Sequence, residues 1–484
     1  MPMSEYASAE VIVQSLSSGN SLSIVMPAGT GKTELVADVA AKVSKLNKRC
    51  LVLTHTHAGV EALRRRTRMR NLTSEVCEVR TIDSWCHDLI RAFPKHSRYD
   101  APKEPDWKND AIEYHRAGKI ALLAMQIQSL VQRSYGFLIV DEYQDCLIDQ
   151  YDFLVALNRV LPTLVIGDPL QSLFGFGVNI PVSWQQDVIP KFAPLHCNYK
   201  PWRWHRHNES LGEWLLEIRR SLDHGDPIDL RDAPIEWVPT PKYPAQHITV
   251  VRRVLGNVLP RNGTVVALGR FRRDCAKFAE FSQGTALLQE ELEGKEMLKF
   301  ADRLENSSGP ETAVAVIEFA KQCAVGVSQL FPKSKIDQLK QGRLISTRNP
   351  ETQPLFEHVN KLLDNPSSEN VWAALFHISM VPNVQLYCRE AYSEVTSALR
   401  FHQRDSSLSL RSALVAQRDN LRHSGRRGEK CIVSRPLLAK GLQFDHAVVI
   451  DADSYNKFEL YVALTRARKS LTIISTSKVI CPLV

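Results

Sequence analysis

Short apolar runs alternate with amphipathic segments over the first third of the chain. Between the runs, Gly59–Arg68 and Ile82–Ala92 carry apolar residues at the spacing of a helix. Apolar runs as short as these predict strands that are buried on both faces. The predicted strands are Leu22–Val25, Cys50–Leu53, Glu78–Thr81, Phe137–Val140 and Leu164–Ile166. Strands and helices in alternation predict a parallel sheet that helices cover on both faces.

A second alternating set predicts a second α/β domain in the C-terminal half. The stretch from about Leu287 to Arg422 looks helical and lacks clear strands. The strand candidates around it are Thr264–Leu268, Lys430–Ser434, Ala447–Asp451 and Leu471–Ser475. The simplest interpretation is therefore a second α/β domain that a helical insertion interrupts.

These patterns divide the chain into two α/β cores. The first core covers residues 1–195, and its alternation lapses at a charged, proline-containing stretch that opens a small insertion at about 94–136. The second core covers residues 196–286 and 423–484, and the helical insertion covers residues 287–422. A chain of 484 residues is long enough for about three domains with buried interiors.

A phosphate-binding loop is predicted where the first strand meets the next helix. The loop is Met26-Pro27-Ala28-Gly29-Thr30-Gly31-Lys32-Thr33. Its small residues let backbone N–H groups close around phosphate oxygens, and the positive end of the helix dipole favours an anion there. In such a loop Lys32 reaches the outer phosphates, and the Thr33 hydroxyl is a ligand for Mg²⁺. Met26 stands where the first glycine is expected, so a glycine-rich strand-to-helix turn is the alternative for the loop alone.

Two carboxylates, Asp141 and Glu142, follow the predicted strand Phe137–Val140. In a doubly wound sheet, a phosphate loop and such an acidic strand end lie at the edge where ligands bind. We therefore expect Asp141 to hold Mg²⁺, directly or through water, and Glu142 to orient or deprotonate the attacking water. Without the loop upstream, a solvated Asp-Glu pair after a buried strand would explain the same residues.

The composition is that of an ordinary soluble globular protein, with 44% hydrophobic and 24% charged residues. No apolar run approaches the roughly 20 residues of a membrane span, so we expect no membrane partner. The ten cysteines include no C-x-x-C pair, which predicts reduced intracellular thiols, a cytoplasmic location and no structural zinc. The net charge of +8 is compatible with a polyanionic partner but does not establish one.

Further segments of the chain match, in order, the signatures of one family. They are Leu53–Gly59, Thr81–Ser84, Asp141–Asp145, Gly167–Ser172, Lys440–Asp445 and Tyr461–Arg468. With the phosphate loop, they make the chain resemble the UvrD/Rep branch of superfamily 1 DNA helicases. The resemblance covers both cores and not the insertions. It implies two RecA-like P-loop domains, with the nucleotide in the cleft between them.

The resemblance also implies which residues contact DNA and which report hydrolysis. Thr54 and His55 lie in the family segment that touches single-stranded DNA after the second strand. Thr81 begins the next DNA-contacting turn. Gln171 lies in the segment that couples the nucleotide state to DNA, so it is implied to contact the γ-phosphate region or its water.

Residues further along the chain are implied to contact the nucleotide as well. Arg466 matches the family's arginine finger, which stabilises charge on the γ-phosphate in the transition state; a helix-surface arginine is its alternative. Tyr199 fits the aromatic that stacks on adenine. Lys200 stands where the family has an arginine near the γ-phosphate, and Arg203 could substitute because arginine donates bidentately. Gln443 replaces a glutamate with a ribose or metal-linked role.

Three aromatic or basic stretches have two interpretations each. Phe174 and Phe176 stand where the family places aromatics that stack on bases, at roughly 1–3 kcal/mol per base, and burial in a local core is the alternative. The basic run Arg64–Arg70 could bind backbone phosphates or form a solvated helix face. The stretch Trp202–His207 mixes aromatics and cations as a nucleic-acid surface does, and local packing explains it equally well.

By this resemblance the chain is an ATP- and Mg²⁺-dependent translocase or helicase that moves 3′ to 5′ on single-stranded DNA or tailed duplex. The insertions are short for the family, which puts strand separation in question. The alternative is a nucleotide-dependent sensor of DNA ends that activates a partner nuclease. Compact UvrD-like proteins act with partner nucleases in bacterial anti-phage systems such as Gabija, and the chain resembles such a compact member. An ATPase that acts on protein or RNA would fit the cleft but not the matched DNA segments.

Overall fold

The computed structural model describes residues 8–103, 105–107, 109–173, 180–241, 244–259, 261–289, 294–404, 408–415 and 430–483. Phe174 and Phe176, the predicted base-stacking residues, lie outside these ranges. Within the described ranges, no helix is long and apolar enough to cross a membrane.

Strands and helices alternate through most of the described chain. The strands are β1 (Leu22–Val25), β2 (Cys50–Thr54), β3 (Cys77–Thr81), β4 (Phe137–Val140), β5 (Thr163–Gly167), β6 (Ala193–Pro194), β7 (Ile228–Asp229), β8 (Glu236–Pro239), β9 (Val265–Leu268), β10 (Leu287–Leu288), β11 (Ala324–Val325), β12 (Gln385–Leu386), β13 (Cys431–Ser434), β14 (Phe444–Val449), β15 (Ala467–Ser475) and β16 (Val479–Ile480). The helices are α1 (Ala9–Ser17), α2 (Lys32–Ser44), α3 (His57–Arg68), α4 (Ile82–Ala92), α5 (Pro94–Ser97), α6 (Ala111–Ala121), α7 (Met125–Ser134), α8 (Ile148–Asn158), α9 (Glu209–His224), α10 (Pro244–Val258), α11 (Arg272–Phe281), α12 (Gly294–Asn306), α13 (Gly309–Cys323), α14 (Val327–Leu330), α15 (Lys333–Lys340), α16 (Gln353–Asp364), α17 (Ser368–Met380), α18 (Arg389–Arg404), α19 (Pro436–Ala439) and α20 (Lys457–Leu464). Short 3₁₀ turns lie at Tyr143–Asp145, Pro169–Gln171, Pro350–Thr352 and Ala452–Ser454, and a π turn lies at Trp184–Val188.

The first sheet has the strand order β3-β2-β4-β5-β1-β6, and its neighbouring strands are parallel. Successive side chains point to opposite faces, as a strand requires. On β4, Leu138 and Val140 pack with α4, α7 and α8, whereas Phe137 and Ile139 pack with α1, α2 and α3. Burying each such side chain contributes about 1.5–3 kcal/mol. The prediction of a parallel sheet between two helical layers is confirmed.

The second sheet has the strand order β10-β13-β9-β14-β15-β8. The pairs β10–β13, β13–β9, β9–β14 and β15–β8 are parallel. Its core packs residues of β9, such as Val265 and Ala267, against α10, α11 and α13. Strands β14 and β15 begin earlier than the pattern predicted, because His446 and Lys469 interrupt the apolar runs that marked them.

Helices occupy both of the predicted insertions. Helices α5, α6 and α7 lie within residues 94–136, and α12 to α18 lie within residues 287–422. Two short strands also lie in the longer stretch: β11 and β12 pair antiparallel, with Ala324 opposite Leu386. The first two residues of that stretch form β10, which belongs to the second sheet. The sequence pattern missed these strands because two residues are too few to show a period.

The chain divides into two compact units by the density of its internal contacts. The first unit runs up to Pro234 and also contains Tyr455–Lys469 and the last residues from Cys481; the second contains Ile235–Ser454 and Ser470–Ile480. Helices α9 and α20 therefore group with the first sheet, although the sequence pattern assigned both to the second core. The boundaries at 195, 286 and 422 between the two cores and the helical insertion stay a prediction.

Candidate active site at the carboxyl edge of the first sheet

Five strands of the first sheet end at one edge, because parallel strands point the same way. The loop Met26–Thr33 follows β1, Asp141 follows β4, and Asp168 follows β5. Thr54 and Thr81 are the last residues of β2 and β3. Since the sheet order is β3-β2-β4-β5-β1-β6, the predicted phosphate, metal and DNA residues lie side by side along this edge.

Two glycines give the loop its shape. Gly29 has a φ of 71° and Gly31 a φ of 99°, which residues with a side chain rarely adopt. A Cβ on Gly29 would stand 2.7 Å from the Trp204 ring, so only glycine fits there. Thr30 Oγ1 donates to the Pro27 carbonyl at 2.7 Å, and α2 begins directly after the loop. The first turn of α2 therefore offers free N–H groups beside a narrow, fixed loop.

Met26 occupies the position where the loop pattern expects glycine. Its side chain is buried in the core between the first sheet and α2. Its φ is not positive, so the backbone there does not require glycine. Its N–H donates to the Gly167 carbonyl at 3.0 Å, which extends the β1–β5 pairing by one residue. The methionine thus packs under the loop and leaves the phosphate side to the residues that follow.

Lys32 and Glu142 link the loop to the end of β4. Lys32 is buried, and its Nζ donates to the Met26 carbonyl at 3.3 Å and lies 4.0 Å from Glu142 Oε2. Glu142 has a φ of 57°, a conformation that costs about 1–3 kcal/mol and clusters at functional sites. Gln144 Nε2 donates to Glu142 Oε2 at 2.6 Å. The carboxylate is therefore held in one position by its backbone, a lysine and an amide.

Asp141 is a buried carboxylate next to a second one. Burial raises its pKa to about 7, the Glu142 carboxylate adds to the shift, and Lys32 opposes it. A bound cation would stabilise the charged form of both acids, and oxygen ligands are those that Mg²⁺ prefers. Thr33, the other predicted ligand, is half-buried in the first turn of α2. The donor set at this edge fits the predicted Mg²⁺.

Asp168 is the centre of a buried hydrogen-bond network. Its carboxylate accepts from Gln171 Nε2 at 2.8 Å and from Arg219 Nη2 at 3.0 Å. Its N–H donates to Gln144 Oε1 at 2.9 Å. Since Gln144 also donates to Glu142, one chain of contacts connects Gln171 with the carboxylate beside Lys32.

Tyr461, on α20, joins the loop to this network. Its hydroxyl accepts from the Ala28 N–H at 3.0 Å. Burial, with the nearby Asp168 carboxylate, raises the pKa of Tyr461 well above its usual value. The phenol therefore stays neutral, so it can donate to Asp168 while it accepts from Ala28. The contacts from Ala28 through Tyr461 and Asp168 to Gln171 connect the phosphate loop with the predicted hydrolysis sensor.

Arg466 lies in the turn after α20 and is only 1% exposed. Its Nε donates to the Val462 carbonyl at 2.8 Å, and its Nη2 donates to Thr465 Oγ1 at 2.8 Å. Burial lowers its pKa to about 10, while anionic neighbours that include Glu142 oppose the shift. The guanidinium is still charged at neutral pH and is close enough to feel the Glu142 carboxylate. The surface-arginine alternative for Arg466 is excluded by its burial.

Arg203 lies beside the loop as well. Its N–H donates to the Gly29 carbonyl at 3.0 Å, and its Nη1 donates to the Thr465 carbonyl. Burial and then the neighbouring Arg466 lower the pKa of Arg203 to about 9. Its Nε is buried and has no hydrogen-bond partner. Two adjacent buried guanidinium groups repel each other, so an anion bound near them would be stabilised by both.

The Trp202–His207 stretch combines both of its interpretations. Trp204 is buried against Gly29, and its Nε1 donates to the Ala467 carbonyl at 2.7 Å. Trp202 is 56% exposed, and its ring edge lies 3.4 Å from the place that a Cβ on Gly31 would take. Local packing therefore explains Trp204, whereas Trp202 is an open aromatic surface next to the loop.

Three predicted nucleotide-binding residues lie outside this cluster of side chains. Tyr199 and Lys200 are exposed, and Lys200 Nζ lies 6.0 Å from the centroid of the Trp202 ring. Gln443 is exposed just before β14, in the second unit. Of the two cations proposed for the γ-phosphate, Arg203 and not Lys200 contacts the loop. The roles of Tyr199 and Gln443 stay predictions.

The predicted DNA residues differ in how they are used. Thr54 is 2% exposed and packs near Gly59. Thr81 is buried, and its Oγ1 accepts from the Ser84 N–H at 3.0 Å as the N-cap of α4. His55 is half-buried, with Nε2 3.4 Å from Cys146 Sγ. The Thr81 hydroxyl thus stabilises local structure and Thr54 is buried, which leaves His55 as the more accessible of the three for a DNA strand.

Five members of the cluster received no role from the sequence. Gln144, Asp168 and Tyr461 lie inside segments that carry the family resemblance, so the segments were recognised but these side chains were given no function. Trp204 lies in a stretch noted only for its composition. Arg219 is one polar residue among others on the amphipathic helix α9, and no local pattern distinguishes an arginine that binds a buried aspartate from one that faces water.

A comparison with known families identifies the part of the chain that carries the loop. Residues 9–177 match the family model AAA_19, an AAA domain. This part of the chain is similar to P-loop AAA domains. Domains of this type occur in UvrD/Rep-like superfamily 1 helicases, which supports a helicase-like P-loop family and a nucleotide-binding role. The AAA domain includes β1 to β5 and the loop, but not Arg203 or Arg466. No curated protein matches the chain.

Proposed function

We propose that the chain is an ATP-dependent translocase or helicase on single-stranded DNA. A P-loop AAA domain is a nucleotide-hydrolase type of domain. The observation that carries the proposal is the gathering of Lys32, Glu142 and Arg466 around the loop within one compact unit. Phosphoryl transfer to water needs these groups: a cation on the outer phosphates, a carboxylate that orients water, and a second cation for the transition state.

The loop binds the phosphates of ATP. Backbone N–H groups of Gly29 to Thr33 surround them, and the dipole of α2 adds positive potential. Lys32 exchanges its contact with the Met26 carbonyl for the outer phosphates. Thr33 and Asp141 would hold Mg²⁺, which would neutralise charge on the phosphates.

Glu142 orients the attacking water and accepts its proton. Its left-handed backbone and the hydrogen bond from Gln144 hold the carboxylate in place before ATP arrives, so little reorganisation accompanies the reaction. Arg466 and Arg203 stabilise the charge that develops on the γ-phosphate. Both guanidinium groups are already buried at the loop, where an electrostatic interaction is stronger than in water.

Gln171 passes the state of the nucleotide to the DNA contacts. Its side chain connects through Asp168 and Tyr461 to the loop, and the ends of β2 and β3 lie along the same edge. Stepping requires that ATP-bound and ADP-bound states differ in their affinity for DNA. The parallel second sheet as a second RecA-like core, and the 3′ to 5′ direction, belong to the proposal through the family resemblance.

A second candidate function is a nucleotide-dependent DNA-end sensor that activates a partner nuclease. The observation that favours it is the small size of the insertion in the first core, whose described residues between 94 and 136 form the helices α5, α6 and α7. In the helicase family such lobes hold duplex DNA, so a short one favours sensing or walking over strand separation. A bacterial defence system of the Gabija type would be one setting for such a pair.

Two assays on the purified chain test these proposals together. The first measures ATP hydrolysis with Mg²⁺, with and without a single-stranded oligonucleotide. The second measures strand displacement from duplexes with a 3′ or a 5′ tail. We expect hydrolysis that DNA stimulates, and displacement from 3′-tailed substrates only.

Each assay can contradict one part of the proposal. Stimulated hydrolysis without displacement from either tail would favour the sensor. Displacement from 5′ tails would contradict the direction. Hydrolysis that DNA leaves unchanged would remove the DNA motor, and RNA or protein would then be tested as the activating polymer.

A further inference from the structure

A basic groove runs along the open edge of the first sheet. Strand β3 is the edge strand, and the groove beside it has a volume of about 840 Å³ and is lined by β3, the end of α3 and the connection between them. Four arginines and one acid, Glu78, line it. The arginines are Arg49, Arg64, Arg68 and Arg80. The groove therefore carries an excess of positive charge over negative charge.

Arg64 and Arg68 are the exposed cations of the groove. They lie one turn apart on α3, at a spacing of about 5–6 Å. Both share a single acid, Glu61, at 3.4 and 3.9 Å. At least one of the two guanidinium groups is therefore available to an external anion, and the ion pairs with Glu61 are weak because all three side chains are exposed.

Arg49 and Arg80 flank Glu78 deeper in the groove. Arg49 Nη2 lies 2.7 Å from Glu78 Oε2, and Arg80 Nη1 lies 3.8 Å from Glu78 Oε1. Arg49 Nε is buried and has no hydrogen-bond partner. Leaving a buried donor without a partner is unfavourable. An oxyanion or an ordered water that reached this N–H would satisfy it.

The basic residues at the end of α3 divide between two faces of the helix. Arg66 and Arg70 turn towards α2 and pair with Glu34, at 2.9 and 2.8 Å. Arg64 and Arg68 turn to the groove. The first two pair with an acid of α2 and so have a structural role, and the phosphate-binding interpretation of the run stays a prediction for Arg64 and Arg68.

An added peptide strand is a poor fit for this edge. Arg64 Nη2 donates to the Val79 carbonyl at 3.1 Å, and a strand that paired with β3 would need backbone groups of this kind to be free. Phosphate oxygens instead accept from the forked guanidinium groups that face the groove. The groove also ends at Arg80, directly before Thr81 at the carboxyl edge of the sheet.

We propose that this groove binds the phosphate backbone of single-stranded DNA and extends the DNA path from the carboxyl edge of the first sheet along β3. The inference rests on the proposed function, since it assumes a DNA strand at Thr81. Its contacts are to phosphate, so it adds affinity without base preference. It also makes binding dependent on salt, because each neutralised phosphate releases counterions.

The test compares two double variants that remove the same charge. Arg64→Gln/Arg68→Gln removes the exposed cations of the groove. Arg65→Gln/Arg91→Gln removes two exposed arginines of the same unit that do not line it. Fluorescence anisotropy with a labelled oligothymidylate, without nucleotide, gives the dissociation constant at several salt concentrations. Unlabelled polyglutamate serves as a competitor, and thermal unfolding and ATP hydrolysis without DNA check the fold.

For the groove variant we expect about tenfold weaker binding at low salt. We also expect a slope of log K against log salt that is smaller by about 1.4, which is roughly 0.7 for each of two phosphates. The control variant should stay within about threefold of the wild type with an unchanged slope. Hydrolysis without DNA should be the same in all three proteins.

Three results would overturn the inference in different ways. If both double variants weaken binding equally, only the overall charge matters and the groove is no site. If polyglutamate displaces the oligonucleotide from the wild type at equal charge concentration, the groove selects acidic polypeptide. If the groove variant binds like the wild type, the inference fails while the proposed function stands. A wild type that binds no oligonucleotide removes the DNA motor itself.

Discussion

The two sheets of the chain share one local geometry but not one chemistry. In the first, β4 ends at Val140, Glu142 has a φ of 57°, a 3₁₀ turn follows, and α8 begins eight residues after the strand. In the second, β14 ends at Val449, Asp451 has a φ of 57°, a 3₁₀ turn follows, and α20 begins at the same distance. The two strand ends are therefore copies of one backbone design.

The hydrogen bonds at the two sites match as closely as the backbone does. Asp141 N–H donates to the Leu53 carbonyl at 2.9 Å, and Ile450 N–H donates to the Leu268 carbonyl at 2.9 Å. The residue in the metal-ligand position of the second sheet is thus an isoleucine, which is buried. Where the first sheet has the Asp141 carboxylate, the second sheet has an apolar side chain that packs in the core.

The left-handed residues also differ in their partners. Glu142 faces Lys32 of the phosphate loop at 4.0 Å, whereas Asp451 pairs with His247 at 2.6 Å. Strand β8 takes the place in the second sheet that β1 takes in the first, and the residues after it, Thr240 and Pro241, form no glycine loop. The comparison shows that the fold supplies positions and that the side chains placed on them supply function.

The largest effect should come from Arg466, which belongs to the compact unit of the first sheet. Arg466→Gln should lower the rate of ATP hydrolysis by about 10³-fold or more, since an arginine at the transition state contributes that much in phosphoryl transfer. Steady-state hydrolysis at saturating DNA measures it. Lys469→Gln, which removes an exposed cation three residues later, is the control and should stay near the wild type. Equal losses in both variants would contradict the role of Arg466.

The matched strand ends allow a direct test of which carboxylate acts. Glu142→Gln should reduce the turnover number by about 10²–10³-fold, as loss of a general base does, while nucleotide affinity stays within a few-fold. Asp451→Asn makes the same change on the same backbone and should leave turnover within threefold. A strong loss in Asp451→Asn would mean that the second sheet takes part in the chemistry.

Tyr461→Phe removes the hydroxyl that joins the phosphate loop to Asp168 and, through it, to Gln171. Two hydrogen bonds are lost, one of them to a carboxylate, so we expect about a tenfold loss, equivalent to roughly 1.4 kcal/mol. The loss should affect the DNA-stimulated rate of hydrolysis and not the basal rate. The phenylalanine ring still fills the same space, and hydrolysis without DNA does not depend on the contacts between the loop and Gln171. The ratio of stimulated to basal hydrolysis is the readout. An equal fall in both rates would point to a structural role for the hydroxyl.

The smallest effect concerns pH and stability. Because the folded state raises the pKa of Asp141 to about 7, it binds a proton that the unfolded chain has already lost, and stability falls as pH rises from about 4 to 7. Asp141→Asn does not titrate. Without Mg²⁺ and nucleotide, its melting temperature should exceed that of the wild type by a few °C at pH 8, at about 2–4 °C per kcal/mol.

The difference between the two proteins should shrink towards pH 5. A constant difference across this range would mean that the Asp141 carboxylate is ionised throughout. At the matching position of the second sheet, Ile450 carries no charge and does not titrate. The pH-dependent contribution to stability that Asp141 makes therefore has no counterpart there.

The sequence predicted the strands and the ligand edge of the first sheet because buried parallel strands are short apolar runs and their polar ends follow directly. The loop and Asp141-Glu142 are local patterns of this kind. Short edge strands such as β6 and β10 gave no signal, since two residues show no period.

The part of the site that escaped prediction is built from contacts between distant segments. Arg219 binds Asp168 from a helix whose sequence is unremarkable. Tyr461 begins a segment that resembles the family, but nothing in that segment indicates that its hydroxyl binds Ala28. A pattern along the chain cannot show which helix face meets which strand end. The assignment of Arg466 came from resemblance, and its burial against Val462 and Thr465 could be seen only in three dimensions.

The hydrogen bond from Ala28 to Tyr461 spans 433 positions of the chain. At a synthesis rate of about 5–20 residues per second, the loop leaves the ribosome about 20–90 s before Tyr461 does. Until then the nascent first unit lacks α20 and Arg466. Under the proposed mechanism, which needs Arg466, ATP hydrolysis starts only after most of the second unit has been synthesised.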